Sequence, residues 1–395
     1  MKKKTAYVFL NDKTNSFDIF FPLAKKLKKT EKKLFFKFYV FNKKTHNDIK
    51  NNLLFKSEIP KLGEINIMSG KVFSEVKLMR LLYTFYNIIK ITFFSLTTKS
   101  AFFHFKALEK FPFNFLYSIN RNNCYLVDGD PWGYSENINN AINIRNNKKV
   151  NVQHKPLHKN YSKLITFSKY WNQVNYSKKI NKPIYFLKST RAEKDWLDFC
   201  KAKTKSFLDK NRTLKNEIKG TKVILYLFGT FTDIVTVDQS YNGHKLFLKT
   251  MEVLTEINNI TIIIKPHPNV DLNYLYYLVS KLNNKKIIIN FMHISVLSNI
   301  CKFAISNYMS LAMGDAWLSG LTTIEFTKYS DKLLEYTNNN STIPQFADYF
   351  LNIDETKKLK DILNRQTKVE KRKYKNAIPK NDYIIFANDF LKSFN

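Results

Sequence analysis

Glycine is scarce, with 9 in 395 residues where average usage would supply about 28. Each one that remains is a candidate for a real backbone requirement, and no GxGxxG dinucleotide fingerprint is present. Cysteine is scarcer still. Cys124, Cys200 and Cys301 are odd in number and far apart, with no CxxC or Cys/His spacing, which excludes a disulfide framework and a zinc site. A reducing compartment fits. Acidic residues are outnumbered, 32 against 65 Lys and Arg, for a net charge of +33. Long apolar runs are missing too. The greasiest stretch, Leu81 to Leu96, is broken by Lys90 and polar residues and falls short of the ~20 apolar residues a bilayer span needs. It reads as a buried helix, the more frequent outcome, or as a basic-flanked surface that touches membrane. After the three amino-terminal lysines only Ala6 to Leu10 is apolar. That is too short for a signal-peptide core and reads as a first strand.

What is present is a globular composition, 44% hydrophobic with 34 Phe and 22 Tyr. This is ample for large cores and unlike a disordered chain. The length suggests two or three domains at about 150 residues each. The lysine excess is spread along the chain, so coding bias explains it as well as function does. Its functional readings are attraction to anionic lipid, to an acidic substrate or to nucleic acid. No helix-turn-helix, RRM, KH or zinc-finger pattern accompanies the charge, so nucleic acid is not expected as a partner.

Strands and helices alternate in the carboxyl-terminal half. Strands are expected at 222–228, 260–264, 286–290, 303–306 and 321–326, and helices at 246–257, 272–282, 294–300 and 310–319. That rhythm means βαβ units, a parallel sheet and helices on both faces. The amino-terminal half is similar but noisier. Strands are expected at 6–10, 35–40, 124–127, 150–153 and 164–167, and helices at 21–27, with Pro22 in the first turn, and at 76–89. Charge-rich residues 193–219 read as helix and linker, and 381–391 as an amphipathic terminal helix. The expected class is α/β. Two Rossmann-like domains facing a central cleft make the GT-B architecture, with the terminal helix packing back on the first domain. The boundaries are 1–190, a helix and linker at 191–220, 221–375, and 376–395.

Ligands of open α/β sheets bind at the carboxyl ends of strands, so the strand ends hold the candidates. Thr261-Ile-Ile-Ile-Lys-Pro-His-Pro268 ends a strand on two prolines, which cannot donate to a ladder. His267 is thereby held between stiff residues, beside Lys265 and Pro268. Asn269 or Asp271 can cap the next helix, and a helix amino terminus near His and Lys suits an anion such as phosphate. Gly229 and Thr230 follow another strand. Ser306 and Ser310 flank a strand-to-helix turn that offers hydroxyls and amides, and Glu325 ends the next strand, where it can accept from ribose hydroxyls. In the first half, Asp128-Gly129-Asp130 follows Tyr125-Leu-Val127. It reads equally as a general base on a sugar hydroxyl and as an Asx turn. A metal-binding Asp-x-Asp of GT-A type leaves the Rossmann-like second half unexplained. His154 and Trp132 are candidates for the acceptor side.

An acidic-Gly motif at Asp128-Gly129, a His-Pro motif at His267-Pro268 and a Ser-containing turn from Ser306 to Ser310 together resemble the bacterial sialyltransferase and polysialyltransferase families. Capsule Kdo transferases carry comparable motifs. Val127 stands in place of the family's first acidic residue, and the turn lacks an adjacent Ser pair. The resemblance covers the order of motifs from Asp128 to Ser310. It implies a metal-independent GT-B enzyme without a cofactor, moving a sugar from a CMP-linked donor (CMP-sialic acid or CMP-Kdo) to an acidic glycan or glycolipid of the bacterial surface or capsule. The first domain would bind acceptor and the second the nucleotide-sugar. Asp128, or Asp130, would be the base. His267, Ser306 and Ser310 would hold the donor phosphate, and Glu325 would read the ribose. The location implied is cytoplasmic, with peripheral contact at the inner face of the membrane. Lys-Pro-His-Pro also occurs in teichoic-acid-type polyol-phosphate transferases, so that chemistry, or a UDP-sugar donor on the same fold, is the alternative.

Overall fold

The computed structural model describes residues 4–10, 14–68, 76–128, 157–167, 172–232, 237–268, 270–282, 286–308, 310–365 and 381–394. Asp130, Trp132, His154, the glycines at 129 and 133 and the strand expected at 150–153 lie outside them.

The described residues form two compact units. One holds residues 4–128, 157–191 and 381–394, the other residues 192–365. In the first unit the strands are β1 (Lys4–Phe9), β2 (Leu34–Val40), β3 (Gly63–Ile67), β4 (Ser100–His104), β5 (Cys124–Asp128), β6 (Lys163–Thr166) and β7 (Ile184–Phe186). In the second they are β8 (Lys222–Phe228), β9 (Ile260–Pro266), β10 (Ile287–Ile289), β11 (Phe303–Ser306), β12 (Thr322–Thr327) and β13 (Tyr349–Asn352). The sheets run β3-β2-β1-β4-β5-β6-β7 and β10-β9-β8-β11-β12-β13. Every pairing within them is parallel. Counted from its own first strand, each sheet has the Rossmann order 3-2-1-4-5-6, with a seventh strand added to the first. Strands sandwiched by helices read as continuous apolar runs, which is why Val223 to Phe228 and Ile260 to Ile264 are buried without alternation.

Aromatic packing carries the first unit. The helix Thr14–Thr30 sets Phe17 against Phe38 and Phe55, at 5.0 and 4.8 Å between ring centroids, and Phe20 against Phe103 at 4.9 Å. Pro22 was expected in a first turn but lies inside this helix. An interior proline costs about 3 kcal/mol. Burial of each Phe returns about 1.5–3 kcal/mol, and Phe17, Phe20 and Phe21 are all fully buried, so the apolar stripe sets the helix start.

The terminal helix Tyr383–Lys392 packs on the first unit. Phe390 meets Phe103 at 5.3 Å, and Asp389 accepts from Tyr125 Oη at 2.8 Å and pairs with Lys163 at 2.7 Å. The charge-rich stretch after residue 193 forms the helices Lys194–Lys210 and Arg212–Glu217. The first is tied into the second unit by Thr204 Oγ1, which donates to Val296 O at 3.0 Å, and by Trp196 on His293.

The helix Lys77–Thr97 departs from the commoner expectation of a core helix. Only Thr84, Asn87, Ile88 and Ile91 are buried, and its larger apolar face points outward. No described helix is long and apolar enough to cross a membrane.

Candidate functional site

In the second unit the order reverses between β8 and β11, and the crevice for ligand lies outside their carboxyl ends. Phe228 is in register with Pro266, and Leu227 with Ser306. Three loops therefore emerge at one level, carrying His267, Gly229 and Tyr308. Adjacent strands lie ~4.8 Å apart, so the loops after β9 and β11 stand about 10 Å from each other across Gly229.

His267 is fixed through its main chain. Its N–H donates to Phe228 O at 2.8 Å, its carbonyl accepts from Val270 N at 3.0 Å, and its side chain is exposed. Pro268 is exposed beside it, and Lys265 is half-buried on the strand below. The helix that follows, Leu272–Lys281, is capped by one of the two residues expected for it. Its first turn is capped by Asp271, whose carboxylate accepts from Tyr274 N at 3.1 Å. A carboxylate at that position repels an anion, so any phosphate contact here falls to His267 and Lys265 and not to the helix amides.

Gly229 is required by close approach. A Cβ there would lie 1.0 Å from the Tyr308 hydroxyl oxygen, so the tyrosine ring covers the glycine. Thr230 shares a hydrogen bond with the Thr232 hydroxyl at 2.9 Å and accepts from Thr232 N at 3.2 Å. It shapes its own loop while staying half-exposed. Gly243, which opens the helix Gly243–Thr255, is needed because a Cβ would sit 1.8 Å from Thr230 O.

The turn after β11 is held differently from expectation. Ser306 is fully buried, and its hydroxyl donates to Tyr308 O at 2.6 Å. It shapes the turn and has no free hydroxyl for a phosphate. Ser310 remains half-exposed. Asn307, to which the sequence assigned no role, is the pin. Its amide donates to Thr250 Oγ1 at 2.8 Å and Phe326 O at 2.7 Å, and its carbonyl oxygen accepts from the Tyr226 hydroxyl.

Glu325 is also corrected. It is fully buried on β12, accepting from the hydroxyls of Tyr329 and Ser341, so a ribose has no access to it. Burial pushes its carboxyl above the usual range, and the surrounding hydroxyls pull it back. Glu325→Gln is therefore expected to change stability by less than about 1 kcal/mol near neutral pH, since each hydroxyl can turn to accept from the amide. Glu325→Ala should cost about 2–4 kcal/mol by removing the buried acceptor that both hydroxyls share. Urea midpoints of the two variants check this, and equal losses would mean that the charge itself is required.

In the first unit Asp128 ends β5, mostly buried, with Lys106 Nζ 3.8 Å from its Oδ1. Lys106 is a non-glycine residue at φ 72°, a left-handed conformation that costs on the order of 1 kcal/mol and concentrates at functional sites. Beside this pair stands His158, missed by the sequence reading. Its Nδ1 is 3.9 Å from Glu109 Oε1, and Gln173 clamps its main chain with two 2.9 Å hydrogen bonds. Burial and then Lys106 hold the His158 ring below its ordinary value, while Glu109 and Asp128 pull it up. The one sequence signal was a His at the far end of His154-Lys-Pro-Leu-His158. The assembly offers a carboxylate, an ammonium and an imidazole at the carboxyl edge of β5, suited to taking a proton from a hydroxyl. Among the described residues no group of three His, Cys, Asp or Glu could hold a metal ion.

A depression of about 520 Å³ near Leu197, Cys301 and Gly320 lies at the opposite, amino-terminal edge of β11 and β12. It is remote from these strand ends and takes no part in the site.

No protein-family model matches the chain, and no curated protein matches its sequence. The fold is similar to that of a UDP-N-acetylglucosamine 2-epimerase, with TM-score 0.54 and 10% identity, covering 97% of this chain and 93% of that one. UGT89C1 of Arabidopsis thaliana, complexed with UDP-L-rhamnose, matches with TM-score 0.48 and 8% identity over 100% and 94%. UGT71G1 of Medicago truncatula, complexed with UDP-glucose, matches with TM-score 0.46 and 9% identity over 100% and 99%. At such identities the likeness is one of fold. The chain is an α/β protein of the GT-B class, built from two Rossmann-like domains.

Proposed function

We propose that the protein is a glycosyltransferase that moves a sugar from a nucleotide-activated donor, CMP-linked in the sharper form of the reading, to a surface glycan. The observation that carries it is His267, set between two prolines at the end of β9, exposed, and level with the Gly229 loop at the switch point of the second unit. In this reading the acceptor hydroxyl gives its proton to Asp128 and its oxygen bonds to the anomeric carbon. The bond from that carbon to the donor phosphate breaks, and the phosphate leaves with the electron pair. His267 steadies the charge that develops there, a contact worth most in the transition state.

The test is release of CMP from CMP-sialic acid or CMP-Kdo in the presence of a glycan acceptor, together with thermal shift against CMP, CDP and UDP. His267→Ala is expected to lower kcat/KM about 10- to 100-fold, the value of one hydrogen bond to a charged group. Undiminished turnover in that variant would sink the assignment. The similar solved structures are a UDP-sugar epimerase and two proteins complexed with UDP-sugars, which favours a UDP-linked donor as the second reading. A shift by UDP without one by CMP selects it.

A further inference from the structure

We infer that the outward face of the helix Lys77–Thr97 is a docking surface for an anionic phospholipid bilayer, on which the helix lies flat. The helix is amphipathic in reverse. Polar Thr84 and Asn87 face the protein with Ile88 and Ile91, and the Asn87 amide donates to the carbonyls of Ile67 and Met68 at 3.3 and 3.2 Å. Leu82, Tyr86, Ile89, Phe93 and Leu96 point outward, Ile89 65% and Leu96 70% exposed. The patch runs on to Phe111, 77% exposed, whose ring lies 6.4 Å from that of Phe85. Scattered exposed apolar residues need no explanation, but a contiguous row along about four turns of one helix does.

Charge chooses the occupant. Residues 77–97 contain no Asp or Glu, and their charges are Lys77, Arg80 and Lys90, with Lys99 and Lys110 at the borders of the patch. A second copy of this chain would bring these cations against their own kind, on a protein of net charge +33. An anionic lipid surface offers the opposite. It takes apolar side chains into the acyl boundary, phosphates pair with the flanking cations, and aromatic rings sit at headgroup level. The buried side of the helix is anchored through its middle, from Thr84 to Ile91, which favours lying flat over tipping into the bilayer. At 1.5 Å per residue it lays down a strip of about 30 Å.

The proposal is independent of the glycosyltransferase reading, because its test reads no sugar transfer. Full-length protein is sedimented with phosphatidylcholine vesicles, with and without about one-third phosphatidylglycerol. Partitioning should be at least about tenfold stronger with the anionic lipid and fall as salt rises. Ile89→Glu with Phe93→Glu should remove at least about 90% of it, leaving the melting temperature and any nucleotide-induced shift unchanged. Equal binding by the wild type and the double variant overturns the proposal, as does binding indifferent to lipid charge. So does a lipid-free dimer that the double variant converts to monomer, since a second copy would then cover the face.

Discussion

Asp128→Asn is expected to lower kcat for sugar transfer by about 10²- to 10⁴-fold, the usual span of a general base, with the donor KM changed less than about threefold. The substitution keeps the shape and an oxygen for Lys106, which stands 3.8 Å away. The Lys106 side chain is 40% exposed, so the ion pair contributes at most about 1 kcal/mol after solvent screening. Loss of fold therefore cannot account for a thousandfold loss of rate. Asp130→Asn is the companion measurement. Asp128 ends a described strand beside a strained, cationic neighbour, and the larger loss is expected there. Transfer within about threefold of wild type in the Asp128 variant removes it from the chemistry.

Much of the second sheet was legible because its strands are unbroken apolar runs closed by punctuation. Val223 to Phe228 ends at Gly229, and Ile260 to Ile264 ends at Pro266. The same punctuation made Asp128 and His267 visible as strand-end residues. β4 was not visible. Only Thr97-Thr-Lys-Ser100, with no Gly, Pro or Asn, parts Ala101-Phe-Phe103 from the preceding helix, so the break between helix and strand carries no turn signal. Short strands such as β3, β7 and β13 lack the length to show a period. The Glu325 environment was hidden for another reason. A carboxylate at a strand end reads the same whether it faces water or interior, and its enclosing hydroxyls come from residues 329 and 341. His158 depends likewise on Glu109 and Gln173, both remote in sequence. In the helix Lys77–Thr97 the apolar stripe was evident, but periodicity does not say on which side of a helix the protein lies. Only the Asn87 contact with the end of β3 settles that.

Acid is expected to unfold the first unit through His104. This residue ends β4, is completely buried, and has no hydrogen-bond partner of normal geometry on either ring nitrogen among the described residues. Burial and then His158 press its pKa from 6.5 down to about 3, although the Asn160 backbone pulls upward. The unfolded chain takes a proton near pH 6.5 and the native state does not until about pH 3. Between those values the unfolded state binds more protons, so stability falls as pH falls, by up to about 1.4 kcal/mol per unit. His158, also depressed, adds to the same trend. Glu325, raised by burial, acts the opposite way in the second unit, because the native state there takes its proton first. A wild-type pH profile mixes these groups, and a difference isolates one. His104→Leu replaces an orphaned polar ring by an apolar group of similar size and should leave stability at pH 7.5 within about 1 kcal/mol of wild type. At pH 5 the variant should exceed wild type by about 2 kcal/mol more than at neutral pH, the integral of that slope over 1.5 units. Urea midpoints across the range read this directly. Parallel curves for the two proteins would mean that the imidazole takes its proton at the same pH in the native and unfolded states, which would overturn the expectation.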